Sequence, residues 1–184
     1  RTTATRKDGG WAINGTKVFG THSPEAAVFL VYLRFGPGTS GIGSVLVDRG
    51  TPGLTVGTPS AFMNGEQWSQ LYFEDCFIPQ EQVIGEVGQG FAIAMGSLTA
   101  GRLGVSLSCI GAADRLLEMS VAYAKERQTF GKALADRQAI QWMLADSEVD
   151  LSLARAFAYE VLRRVQAGDE RGSGPSICKL HCSE

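Results

Sequence analysis

The chain has 184 residues, 44% of them hydrophobic, enough for one large domain or two small ones around an apolar core. Seventeen Lys+Arg against nineteen Asp+Glu give a net charge of −2, which excludes the strongly basic footprint of a nucleic-acid partner. The longest unbroken apolar run, Ala26 to Leu33, is too short to cross a bilayer, so no membrane span is expected.

The first part of the chain reads as strands. "TTATRKDGGWAINGTKVFG" alternates short runs with Asp8-Gly9-Gly10 and Asn14-Gly15, and Asn-Gly between such runs predicts a hairpin turn. "AAVFLVYLRF", "SVLVDRG", "LTVG" and "SQLYFEDCFIP" follow, separated by Gly36-Pro37-Gly38 and Thr51-Pro52-Gly53. Short strands with turn signals and no helical pattern between them predict an antiparallel sandwich or barrel.

Near residue 85 the period changes, dividing the chain into a β-domain (1–85) and a helical domain (86–184), an α+β organisation. From about Gly88 to Lys125, Phe91, Met95, Leu98, Leu103, Leu107, Ile110, Leu117 and Val121 recur at helical spacing. A second helix is expected between Asp136 as N-cap and Gly168 as stop, with a stripe running from Ile140 to Val165. Gly174-Pro175 opens a third, with Pro expected at its first position. Three striped helices need a partner to complete a bundle. The chain is therefore expected to be a fragment, incomplete at both ends.

Most candidate motifs are weak. Gly88-Gln89-Gly90 opens a helix, but Ile93 stands where a dinucleotide loop needs its third glycine. Asn14-Gly15-Thr16 is a formal glycosylation acceptor, and the turn reading is preferred because "RTTATRKDGG" has no signal-peptide character. There is no GxSxG, and His22 and His181 are the only histidines. Cys76, Cys109, Cys178 and Cys182 include no CxxC pair and read as reduced thiols of a cytoplasmic protein. "CKLHC" reads as small buried residues on a helix rather than a metal centre, since a closed zinc site wants four ligands.

"AKERQTFGKALADRQAIQ", residues 124–141, is more specific: two helices meet at Phe130-Gly131. Arg127 is either a cation favouring the helix dipole or a guanidinium fork for a phosphate. Phe130 either caps the core of the corner or offers its face to a planar ring. Gln138 is either solvated or an amide donor to an anion at a helix N-terminus. Jointly these point to a diphosphate-bearing aromatic cofactor.

"ERQTFGKALADRQAIQWMLAD" closely resembles the acyl-CoA dehydrogenase pattern of Glu-Arg-x-x-Phe-Gly-Lys before a Gln-Ala-Ile helix start. "GGWAINGTKVFGT", "FEDCFIPQEQVIGEVGQGF" and "LTAGRLGVSLSCIG" resemble three further family segments in the same order, covering nearly the whole chain. The resemblance implies FAD bound between a middle β-domain and a four-helix bundle, in a homotetramer or homodimer. It implies that Phe19 packs on the flavin ring and Thr21 bonds near N5. Arg127, Thr129, Phe130 and Gln138 would reach a neighbouring subunit's FAD.

Leu98, Thr99, Gly101 and Arg102 would line the acyl and pantetheine channel. In one branch of the family the catalytic carboxylate precedes the helix arginine. Here that position is Gly101, so the base is expected beyond residue 184 and no catalytic residue is assigned. The implied activity is α,β-dehydrogenation of an acyl-CoA or acyl-carrier thioester, with an electron-transfer flavoprotein or another acceptor, in the cytoplasm or a mitochondrial matrix. The alternatives are a same-fold flavin oxidase or monooxygenase and a non-catalytic remnant. "AFMNGEQWSQL", with Trp68, departs from the family's Lys-x-Gly-x-Arg-x-Ser, and Thr99 stands where many members have Asp.

Overall fold

A computed structural model describes residues 2–169 and 172–184, which form two compact units, Arg1–Met95 and Gly96–Glu184. In the first unit, β1 (Thr3–Lys7) and β2 (Gly10–Thr21) form a hairpin closed by Asp8 and Gly9, whose φ of +73° suits glycine. The sheet continues with β3 (Val28–Arg34), β4 (Ile42–Asp48), β5 (Leu54–Val56), β6 (Ser60–Ala61), β7 (Gln67–Pro79) and β8 (Val83–Ile84). Its order is β5-β7-β2-β1-β3-β4-β8, with β6 on β7. The pairing is antiparallel except where β1 meets β3 at Thr3 and Arg34.

Both halves of this sheet feed one interior. Phe29, Val31 and Leu33 of β3 and Val45 and Val47 of β4 share a core with Ile13 of β2 and with Leu71, Phe73, Cys76 and Ile78 of β7. Each fully buried branched or aromatic side chain contributes about 1.5–3 kcal/mol. The β7 residues show how the ladder is kept inward-facing. Ser69, Leu71 and Phe73 are buried at odd positions, Cys76 and Ile78 at even ones, so the alternation changes phase at Glu74-Asp75.

A bulge there inserts one extra β7 residue opposite β2. The Asn14 amide donates to Asp75 Oδ1 at 2.9 Å and its carbonyl accepts from Asp75 N at 2.9 Å. The hairpin expected at Asn14-Gly15 is therefore absent. Both residues lie inside β2, where a positive φ at Gly15 serves the bulge rather than a reversal. A second bulge, between Lys17 and Gly20, puts the extra residue in β2 and returns the ladder to its starting register.

Helix α1 (Gly90–Glu126) follows a turn. A Cβ on Gly90 would fall 2.5 Å from the Gly43 backbone, and one on Gly88 2.7 Å from Ser40 O. These glycines bring the chain against the sheet, and a dinucleotide-loop reading is not supported. One 18-residue window of α1 is apolar enough to cross a membrane by length and composition. Its apolar runs are interrupted by Gly, Ser and Thr, which is why its longest unbroken run is short.

In the second unit a short hairpin, β9 (Gln128–Thr129) and β10 (Lys132–Ala133), leads to α2 (Gln138–Gln166), then α3 (Gly174–Cys182). Leu103 and Ile110 of α1, Leu151, Ala154, Ala158 and Val161 of α2, and Cys178 of α3 form the core. Arg155 of α2 donates to Asp114 of α1 beside it. Other residues of the expected stripes are exposed, among them Phe91, Leu98 and Met143. Gly168, at φ +86°, donates to Val165 O while Asp169 N reaches Arg164 O, satisfying the last carbonyls of α2. Pro175 lies in the first turn of α3.

Candidate functional site

Two constellations carry the predicted cofactor residues, and a stretch of α1 carries the predicted substrate residues. In the first unit, the bulge between Lys17 and Gly20 leaves Phe19 at φ +55°, a left-handed conformation unfavourable for a bulky side chain. Its ring is 64% exposed and meets Trp68 with centroids 4.7 Å apart at 42°. Trp68 stacks in turn on Phe62 of the β6–β7 hairpin, at 6.1 Å and 30°. Thr21 is exposed and directly opposite Trp68 in the ladder, so bulge and register together group Phe19, Thr21 and Trp68.

Beside them, where β1 stops separating β2 from β3, is a recess of about 300 Å³ lined by Lys17, Thr21 and Tyr32 among others. Burial pushes the Lys17 ammonium below its ordinary pKa. The Tyr32 hydroxyl is buried without a hydrogen-bond partner among the described residues. Sequence reasoning missed Phe62, Lys17 and Tyr32. The phase of β3, with Phe29, Val31 and Leu33 inward and Tyr32 between them, was the available signal.

The second constellation is the corner after α1. Arg127 follows the last helical residue, its N–H still bonded to Tyr123 O at 2.8 Å. Its exposed guanidinium has no hydrogen bond or ion pair among the described residues. Phe130 (φ +50°) and Gly131 (φ +76°) are the centre of a two-residue turn joining β9 to β10, the geometry that normally selects Asn-Gly. Phe130 is 98% exposed, so it does not cap the core of the corner.

The ring is instead placed by Arg137, whose guanidinium carbon lies 5.6 Å from its centroid. Arg137 Nε also donates to Thr129 Oγ1 at 3.1 Å, and its terminal nitrogen donates to Thr129 O. Arg137, not Asp136, is the residue before α2, because Leu134–Asp136 form a 3₁₀ turn ahead of it. No side chain caps the first turn of α2, where exposed Gln138 stands, leaving its outward N–H groups open to an acceptor. Arg137 is the corner residue that sequence reasoning missed.

On α1, Leu98, Gly101 and Arg102 share a face at helical spacing. Leu98 is exposed, Thr99 and Arg102 are half-buried, and nothing lies within 4 Å of a Cβ built on Gly101. No carboxylate pairs with Arg102 among the described residues. Taken by itself, the first unit offers an exposed ring on strained backbone beside a threonine hydroxyl, which suits a planar ring with polar edges. The second, taken by itself, offers an exposed ring, a guanidinium without a partner among the described residues and an uncapped helix start, which suit a phosphate-bearing group. The residues present fit a flavin nucleotide.

Comparison with known proteins gives matches to two family models: the acyl-CoA dehydrogenase middle domain over residues 1–76, and the acyl-CoA dehydrogenase C-terminal domain over 88–184. An acryloyl-CoA reductase (NADH) of Anaerotignum propionicum is 35% identical over 95% of this chain and 45% of its own length. An L-prolyl-[peptidyl-carrier protein] dehydrogenase of a Serratia species is 36% identical over 99% of this chain and 48% of its own. The solved structure of PigA with FAD and proline superposes with a TM-score of 0.96 at 35% identity, covering 100% of this chain and 49% of that one. The chain thus spans about half the length of the relatives it matches.

Proposed function

Because the chain belongs to the acyl-CoA dehydrogenase family, we propose that the protein of which it is part is an FAD-dependent oxidoreductase that forms an α,β double bond in an acyl thioester. FAD, when bound, supplies the acceptor for the hydride leaving Cβ. Phe19, backed by Trp68, offers a ring face to the flavin, and Thr21 offers its hydroxyl to the polar edge. Arg127 provides a guanidinium for the diphosphate, Phe130 and Thr129 shape the corner, and Gln138 adds an amide at the open start of α2. The corner's outward aim supports a homotetramer or homodimer in which it serves a neighbouring copy's cofactor.

Leu98, Thr99 and Arg102 line the acyl and pantetheine path on α1, and Gly101 leaves room there without contributing a base. The proton at Cα is therefore taken by a carboxylate supplied from elsewhere in the protein. Electrons pass on to an electron-transfer flavoprotein or another acceptor, in the cytoplasm or a mitochondrial matrix. CoA is the proposed carrier. A carrier-protein thioester is the second reading, favoured by the substituted "AFMNGEQWSQL" segment and by similarity to a relative named for a prolyl-carrier substrate.

One observation carries the proposal most directly: Phe130 is almost wholly exposed on a left-handed turn beside an unpaired Arg127. The test is the visible spectrum of the whole protein, titrated without oxygen with acyl-CoA and acyl-carrier thioesters. Flavin bands that bleach on addition are expected. A colourless protein that does not take up FAD would leave the non-catalytic remnant. A flavoprotein that bleaches only with a nitro, amine or aromatic substrate would leave the oxidase or monooxygenase.

A further inference from the structure

"CKLHC" has no part in the function above, yet the fold gives it a neighbour. Cys178 is buried in the core of the second unit with Ile110 of α1, and Cys182, one turn on, packs against the same cluster. A cavity of about 360 Å³ is lined by Cys109 of α1 together with His181 and Cys182 of α3. Cys109 and Cys182 are both partly exposed, and both are free thiols. Ser106, one turn before Cys109 on α1, has its hydroxyl against the Cys182 thiol, so Cys182 meets the face of α1 that carries Cys109 one turn further on. No group of three or more metal-binding side chains occurs among the described residues.

We propose that Cys109 and Cys182 are a thiol pair that a peroxide closes into a disulfide joining α1 to α3. Cys178 is excluded as the partner of Cys182. Residues four apart on a helix hold their Cβ atoms about 5–6 Å apart, beyond the roughly 3.5–4.5 Å that a disulfide spans. Burial, then the neighbouring Cys109, raises the Cys182 thiol, and the Ser106 hydroxyl opposes this only in part. Cys182 is thereby disfavoured as the thiolate, and in the proposed sequence Cys109 is the thiol oxidised first.

The Cys109 thiolate attacks one peroxide oxygen, the O–O bond breaks, and the other oxygen leaves as hydroxide and is protonated to water. Cys182 Sγ then attacks the resulting sulfenic sulfur, the S–S bond forms, and the hydroxyl leaves with the Cys182 proton as a second water. Two thiols lose two electrons and one hydrogen peroxide is reduced to two waters.

The test is a non-reducing peptide map of the whole folded protein after brief treatment with hydrogen peroxide, for wild type and for Cys109→Ser, Cys182→Ser and Cys178→Ser. A linked peptide carrying Cys109 and Cys182, two hydrogens lighter than its parts and released by dithiothreitol, is expected in wild type and in Cys178→Ser. In Cys182→Ser a dimedone adduct is expected on Cys109. The proposal is overturned if wild type yields only sulfinic acid at these positions. It is equally overturned if the linked peptide contains Cys178, or if Cys109→Ser leaves the cross-link unchanged.

Discussion

Phe19 and Phe130 are the same residue in nearly the same unfavourable backbone conformation, at φ +55° and +50°, and both rings are exposed. Their supports differ. Phe19 sits in a bulge of a long paired ladder and leans on Trp68, so its placement depends on residues about fifty positions away. Phe130 sits at the tip of a two-residue turn and is steadied locally by Arg137. The left-handed conformation costs about 1–2 kcal/mol for a side chain of this kind. Two such residues held outward in unrelated ways are what the proposed flavin contact would require.

The sharpest way to break the comparison is to remove the charge at the corner. Arg127→Ala is expected to weaken FAD binding by tenfold or more, since a hydrogen bond to a charged group is worth about 1.5–3 kcal/mol. The melting temperature of the apo protein should stay the same, because the guanidinium has no partner within the described chain. Equal losses in both measurements would return Arg127 to a helix-end role. Next in size is Trp68→Ala. Losing the stacked partner forfeits about 0.5–1.5 kcal/mol and should lower FAD affinity several-fold, with Trp68→Phe recovering most of it in the same flavin titration.

Phe130→Gly should separate stability from binding. Relief of the left-handed strain raises chemical-denaturation stability by about 1 kcal/mol, while FAD affinity falls. A variant neither more stable nor weaker in binding would show that the exposed ring has no ligand. The smallest effect is expected at a surface carboxylate. On α2, hydrogen bonds from Arg163 and Arg164 hold the Glu160 carboxyl down to about 2, from an ordinary 4.5. A depressed carboxyl stabilises the fold above its unfolded pKa, and that contribution is lost as pH falls from about 4.5 towards 2. Glu160→Gln should flatten the acid limb of the stability curve slightly in that window, and high salt should erase the difference.

Much of the fold was legible because turn chemistry is local. Asp8-Gly9 reverses the chain, and Gly168 ends α2 because each needs a positive φ. The same rule misled at Asn14-Gly15, since a bulge asks for the same residues as a turn and only the partner strand distinguishes them. The helical stripes were read from spacing, but spacing does not say which face meets a neighbour, so Leu98 and Met143 proved exposed. At the corner the motif named Arg127, Thr129, Phe130 and Gln138 and passed over Arg137, whose clamp appears only once the turn folds back on Thr129. Trp68 was noticed as a departure, but its stacking on Phe19 depends on pairing across the sheet.

The two bulges between β2 and β7 have opposite sense, one lending a residue to β7 and the other to β2. Removing one residue at Val18-Phe19 would erase the second bulge and the left-handed kink it holds, while leaving Gly20 opposite Ser69 and Thr21 opposite Trp68. A single-residue deletion at that point therefore withdraws the outward ring alone, since the flanking pairs do not depend on the extra residue.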